Sequence, residues 1–370
     1  MACWLRESHS CFKMISPWFE EIFGFKEKTI LVQRYLRYDR SSGRLTSKKS
    51  EQEFSAGHFR TPSLLELQSR VDLRRARESL GDRLLTVREV VGDVSELHTR
   101  KENRFAVFQA ASQFNALEFP SPEGLPEWGI TCYAWDPTQG PACAIACAPG
   151  TVVRNYFAFE DEGVSLPQTQ DRQIQNLSAA ERLLENDKNR FFRVRNGCTM
   201  ADDEGLQRLF AALEADPELC KAVRSSLRIG VQEDTEVVCS EFGRSRYEGA
   251  PMEQFVTQAY CSAVSVAYSG ADPKLWEPFA RLILDAAYEA TLYVAVENAM
   301  RHPDASGSTK VFLTVLGGGV FGNDMQWIVD AMAKAFKKFE HVGLEVFLVS
   351  YGGPTREFAH FLGTAKPNPL

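Results

Sequence analysis

An α/β fold, with a mixed sheet held between helices, follows from three stretches of this sequence. Lys310 to Leu316 is a short β-branched and aromatic run of the kind that fills a strand buried on both faces. Gly317, Gly318 and Gly319 break it, and from Met325 the apolar positions Ile328, Val329, Met332, Ala335, Phe336 and Phe339 recur at helical spacing, with Asn323 or Asp324 placed as the N-cap. Leu84 to Val91 and Phe105 to Ala110 add two further strands of buried character. The run RLILDAAYEATLYVAVENAM is a long helix, apolar on more than one face, as a buried crossover into the 310–316 strand would be. At 370 residues, 44% hydrophobic and 25% charged, the chain can bury a core for one large domain or two modest ones.

Taken in order, residues 1–60 read as an N-terminal accessory segment. Ser16 and Pro17 fit an N-cap and first helical position before WFEEIF, with Gly24 closing that helix. TILVQRYLRYD and the turn at Ser41, Ser42 and Gly43 read as a strand and hairpin, and Ser47 to Gly57 as a flexible linker. Residues 61–167 form the first half of the main domain. A helix opens at Thr61-Pro62, where Ser63 and Glu66 suit a capping box, and runs to Leu80 with a solvated basic face of Arg70, Arg74, Arg75 and Arg77. The strand from Leu84 then runs into Gly92-Asp93. The strand from Phe105 delivers Ser112, Gln113, Asn115 and Glu118 to the carboxyl-end edge of a sheet, where open α/β folds bind ligands.

Residues 168–301 read as a mostly helical insert. Leu177–Asp187 and Asp203–Ala215 are amphipathic helices, FFRVRNG and LRIGVQEDTEVVC strands, and MEQFVTQAYCSAVSVAY a further helix. In the polar stretch SEFGRSRYEGAP, Arg244, Tyr247 and Glu248 are candidates to cover a ligand or meet a substrate protein, against the plainer reading of a solvent loop. Residues 302–370 supply the second half of the main domain.

Composition excludes several classes of function. A net charge of −7 and pI near 5.6 argue against a broad nucleic-acid footprint. No apolar run approaches the roughly 18 to 20 residues of a membrane span, and the start MACWLRESHSCFKM lacks the apolar core of a secretory signal, so an intracellular, cytoplasmic protein without a membrane partner is expected. The nine cysteines form no CxxC pair and the six histidines no HExxH spacing, so neither a metal nor another cofactor is expected.

The glycine loop carries the strongest chemical signal. Glycines let the backbone approach a ligand closely, and the free N–H groups of a helix start seat a phosphate or diphosphate. Neither the P-loop nor the dinucleotide spacing fits, and a plain tight connection is the alternative. The flanking residues carry a family resemblance. VVGDVSEL followed by a strand ending in AASQFN resembles the opening of a macrodomain, and GGGVFGND is similar to the second phosphate loop of that superfamily, in particular its poly(ADP-ribose) glycohydrolase-like branch. FQAASQFNALEF, DPTQGPACA and GGGVFGN together resemble a divergent macrodomain group associated with removing ADP-ribose from arginine.

The resemblance implies a macrodomain-like sheet, ADP-ribose as ligand and an ADP-ribosylated protein as substrate. It places Asp93 at the adenine, although Asp93 equally suits a cap on SELH, and puts Gln113 and Asn115 among the ligand contacts. Thr138, Gln139, Gly140 and the helix start at Pro141 would face one side of the diphosphate. Gly318, Gly319, Val320, Phe321, Gly322 and Asn323 would face the other, with Phe321 beside the distal ribose. The chain departs from the pattern in having SQFN for the usual NAAN, no triple glycine in the first loop, and the long 168–301 segment. Cleavage at an anomeric carbon calls for carboxylates, and Asp136 and then Glu118 are the acids in the right segments. Hydrolysis of ADP-ribosyl-arginine is the expected function. A silent ADP-ribose reader is the first alternative. An enzyme on poly(ADP-ribose) or a free ADP-ribose derivative ranks lower, because PACAIACAPG lacks the adjacent glutamates of the glycohydrolases.

Overall fold

Seven strands build the central sheet of the computed structural model, which describes residues 18–241, 245–246 and 253–362. Numbered in chain order they are β1 (His58–Arg60), β2 (Thr86–Val91), β3 (Val107–Ala111), β4 (Gly230–Glu236), β5 (Phe255–Cys261), β6 (Lys310–Leu313) and β7 (Glu345–Ser350). They lie side by side as β1-β4-β5-β3-β6-β7-β2. The five from β5 to β2 run parallel, and β4 is antiparallel to both its neighbours, so the sheet is mixed.

Side chains alternate between two cores, as the pleat requires. Val107, Ala259, Cys261, Val311 and Leu313 face one, under helices α3 (Glu277–Arg301) and α4 (Met325–Lys338). Phe108, Ala110, Tyr260 and Phe312 face the other, under α1 (Gln139–Ala146), whose Ala142 and Cys143 reach down to them. A second helix, α2 (Ala148–Tyr156), follows α1 directly. On this second face the rings of Phe108, Phe312 and Phe347 stack across adjacent strands at 4.4 and 4.9 Å.

Several sequence expectations change here. TILVQRY is a helix, and the chain becomes a strand only at Leu36–Asp39. The stretch expected as a flexible linker is ordered: Arg44–Ser47 pairs with Leu36–Asp39 and with Glu53–Ser55. Within it Phe54 is buried, together with Leu45 just ahead of it and with Trp18, Phe19 and Phe23, and this fixes the segment. Gly24 closes the helix Trp18–Phe23, its N–H donating to Glu20, while Ser16 and Pro17 lie outside the described residues. The capping box at Ser63 and Glu66 is present, but the helix ends at Arg70, and Asp72 caps a second one, Leu73–Leu80.

The larger correction lies in 168–301. FVTQAYC is strand β5, not helix; six of its seven residues are buried, and a run buried on both faces has no periodicity to separate strand from helix. Together with β4 and the crossover α3, this segment supplies central layers of the fold. The helix expected over Leu177–Asp187 stops at Leu183, and Asp203–Ala215 is helical throughout. Arg244, Tyr247 and Glu248 lie outside the described residues. Among the described residues no helix is long and apolar enough to cross a membrane.

The strand order also positions a site. From β3 the chain enters α1 on one face, whereas from its parallel neighbour β6 it enters α4 on the opposite face. Loops that leave adjacent strands toward opposite faces open a crevice at the carboxyl ends, the standard ligand position in α/β sheets.

Candidate functional site

A cleft of about 280 Å³ occupies that crevice. Its floor is the turn after β3. Gln113 N–H donates to Leu117 O (2.9 Å) and Gln113 Nε2 to Phe119 O (2.8 Å), which folds the chain back and brings Glu118 under the cleft. Glu118 is buried, and its Oε2 meets Arg154 Nη2 from α2 at 2.8 Å, both side chains being 1% exposed or less. Both Glu118 and Gln113 line the cleft, and among the described residues their buried oxygens Glu118 Oε1 and Gln113 Oε1 have no hydrogen-bond partner. Burial pushes the Glu118 carboxyl up to about 7, outweighing the downward pull of Arg154 and of the Tyr133 hydroxyl.

One wall is the start of α1. Asp136 Oδ1 accepts the Thr138 N–H (3.0 Å), holding the N-cap residue. The Gln139 side chain accepts from Ala111 N–H (2.9 Å) and donates to Gln109 O (2.7 Å), docking the helix onto the end of β3. Only glycine fits next: a Cβ on Gly140 would lie 1.9 Å from Ala111 O and 3.3 Å from Glu118 Cγ. The N–H groups of Gln139 and Gly140, in the first turn, are free to face a ligand.

The opposite wall is the loop after β6. Tyr288 Oη donates to Thr314 O (2.7 Å) and accepts from Leu316 N–H (3.0 Å), fixing the strand end. Gly317 turns with φ +73°, and its carbonyl accepts the N–H of Asn323 at 2.9 Å. The N–H groups of Gly318 and Gly322 donate within the loop, to Val315 O and Gly319 O. Those of Gly319, Val320 and Phe321 remain without a protein acceptor among the described residues. The Phe321 ring meets Tyr268 edge-on at 5.3 Å, and Tyr268 Oη donates to Pro120 O (3.1 Å), closing one end of the cleft.

The structure therefore brings together Gln113, Glu118, Asp136, Thr138, Gln139, Gly140, Gly319, Val320 and Phe321. Five expected site residues lie elsewhere. Asp93 caps the helix Val94–Thr99, accepting from Ser95 N–H (2.8 Å) and Oγ (2.6 Å) at the carboxyl end of β2. Asn115 braces the turn from behind, donating to Gln173 Oε1 (2.9 Å) and accepting from Leu117 N–H (3.0 Å). A side chain on Gly318 would collide with Val315 and Ile328 rather than enter the cleft, and Gly322 backs onto Ala267. Asn323 is buried behind the loop, donating to Val264 O at 2.8 Å.

Sequence reasoning missed Arg154, Tyr133, Tyr260 and Tyr268. A lone arginine inside the apolar run ACAIACAPGTVVRNYF was the available signal for Arg154, since a buried charge needs a partner. Among the described residues no three His, Cys, Asp or Glu side chains gather as a metal site.

No protein-family model matches the chain, and no curated protein matches it. Among solved structures, poly(ADP-ribose) glycohydrolase from Deinococcus radiodurans in complex with ADP-ribose aligns over 82% of this chain and 92% of its own, at 12% identity and TM-score 0.40. The glycohydrolase from Thermomonospora curvata aligns over 90% and 95%, at 12% identity and TM-score 0.35.

Proposed function

We propose that the protein hydrolyses an ADP-ribosyl group from a modified protein side chain, with arginine as the acceptor, through carboxylate-assisted attack of water at the anomeric carbon. One observation carries this reading: Glu118 and Gln113, each with a buried acceptor oxygen left without a partner among the described residues, line the same cleft as the open N–H groups of α1 and of the 319–321 loop. An unpaired buried acceptor costs about 1–3 kcal/mol, a cost that a ligand rich in hydroxyl or guanidinium donors removes. The open N–H groups on both walls suit a diphosphate. A diphosphate joined to a ribose meets both demands, and the likeness of AASQFN, DPTQGPACA and GGGVFGN to macrodomain loops points to ADP-ribose among such ligands. The resemblance assigns the adenine contact to Asp93, which lies outside the cleft at the carboxyl end of β2, beyond β7.

Glu118 is the group for the chemistry. In its ionised form a carboxyl with a midpoint near 7 can stabilise the positive charge developing at the anomeric carbon and then take the proton of the attacking water, which ends on the departing guanidine. Asp136, at the mouth, gives the rim the acidic character that a guanidinium leaving group favours. The test is release of ADP-ribose from arginine-, serine- and glutamate-modified proteins and from poly(ADP-ribose). Release from the arginine conjugate is expected. Tight binding without release from any of them would make the protein a reader, and activity on the polymer alone would move it to the glycohydrolases.

Two further outcomes follow. Gly319→Glu, whose side chain meets nothing within 4 Å at its Cβ, is expected to leave the melting temperature unchanged and to abolish ADP-ribose binding measured by calorimetry. Undiminished binding would displace the diphosphate from this loop. Activity is expected to survive EDTA, and loss restored by one added metal would overturn the carboxylate mechanism.

A further inference from the structure

We propose that Arg154 is a positioning residue for Glu118: from behind the cleft wall it holds Oε2, so that Oε1 is presented to the ligand as a free, ionised acceptor. The inference rests on the role given to Glu118 above. Arg154 does not line the cleft, and its side chain is wholly buried on α2. Nη2 donates to Glu118 Oε2 at 2.8 Å, and Nε donates to Ala116 O, the carbonyl two residues ahead of Glu118. The guanidinium lies 3.6 Å from the centre of the Tyr260 ring. With its edge held by the 116–118 turn and one face covered by an aromatic ring, the guanidinium cannot swing toward the ligand.

The contact differs from an ion pair that serves packing alone. An arginine fork can engage both carboxylate oxygens, yet here one oxygen is engaged and the other, buried in a residue that lines the cleft, has no hydrogen-bond partner among the described residues. A buried glutamate without a cation would be held protonated, and a protonated carboxyl cannot accept the proton of an attacking water. The titratable groups facing Glu118 are Arg154 from α2, Tyr133 from the turn before α1, Cys143 from α1 and Tyr260 from β5. Arg154 alone among these is cationic.

The experiment follows the Glu118 carboxyl by carbon NMR across pH in the full chain, its signal assigned by its loss in Glu118→Gln. In Arg154→Gln the carboxyl is expected to titrate about one pH unit or more above its wild-type midpoint, and in Arg154→Lys, which restores a cation, to return toward it. Where substrate is turned over, the acid limb of kcat/KM should move with the titration, with kcat down on the order of tenfold to a hundredfold and KM little changed. An unchanged Glu118 midpoint in folded Arg154→Gln overturns the proposal. If that variant does not fold, Arg154→Lys decides by the same titration: its single ammonium cannot hold both Ala116 O and Glu118 Oε2 in the guanidinium geometry, so the midpoint should stay above the wild-type value, and one identical to it overturns the proposal. The titration needs no substrate, so a wild type that releases no ADP-ribose defeats the hydrolase reading alone, and an unmoved midpoint defeats the positioning role alone.

Discussion

Replacing Glu118 with glutamine is expected to slow ADP-ribose release on the order of 10²- to 10⁴-fold, while the affinity for free ADP-ribose changes only a few-fold. The amide keeps the shape of the carboxylate and can still meet Arg154 through its oxygen. It carries no negative charge and takes no proton, so the interaction removed belongs to the transition state rather than to the diphosphate seat. The pH profile gives the same residue a second signature. Glu118 acts in its ionised form, and burial places its carboxyl at about 7. The rate should therefore rise as pH rises through about 7 and level off above it, and that limb should vanish in Glu118→Gln. Asp136→Ala is the comparison. The Asp136 carboxylate is already engaged with Thr138 N–H at 3.0 Å, so its loss should loosen the start of α1, weakening binding more than turnover. A rate loss in Asp136→Ala larger than in Glu118→Gln would reverse the two roles, and full activity in both would remove both residues from the chemistry.

The two acids, ranked one way by the sequence and the other way by the proposal above, mark the limit of the sequence. The sequence puts Asp136 first as an acid in the right segment, while its carboxylate accepts the Thr138 N–H and braces a helix N-terminus, the turn role that an Asp before a proline also suits. What distinguishes Glu118 is a buried oxygen without a hydrogen-bond partner among the described residues and a cation 36 residues away, and neither is written in local pattern. The unit of β6, glycine loop and α4 was legible because each part has its own signal: a buried run, a break, and an apolar stripe capped by Asp324. β5 was not, since a strand buried on both faces and a helix apolar on several look alike in one dimension. Asn115 shows a third kind of limit. A side chain that braces a turn and one that grips a ribose both demand asparagine beside a strand end, and only the partners, Gln173 and Leu117, separate them.

Gly140→Ala is the second substitution expected to have a large effect, and it acts through the backbone. The added methyl would lie 1.9 Å from the carbonyl oxygen of Ala111, and because that atom is main chain at the end of β3 it cannot rotate aside. Either the start of α1 lifts off the strand or the strand end shifts. Overpacking of this kind typically costs about 1–3 kcal/mol, which corresponds to a fall in melting temperature of a few degrees for a chain of this size. The functional loss should be greater than the stability loss. The same displacement moves the free N–H groups of Gln139 and Gly140 away from the 319–321 loop and presses on Glu118, whose Cγ lies 3.3 Å from the new atom. Binding and turnover should therefore fall together, unlike the selective loss of turnover in Glu118→Gln. Gly319→Ala is the matched control, since its methyl would meet nothing within 4 Å. It should melt with the wild type and bind within a few-fold of it. A Gly140→Ala protein as stable and as active as the wild type would mean that the first turn of α1 does not rest on β3, and with it would go the clamp of opposed N–H donors on which the ADP-ribose reading depends.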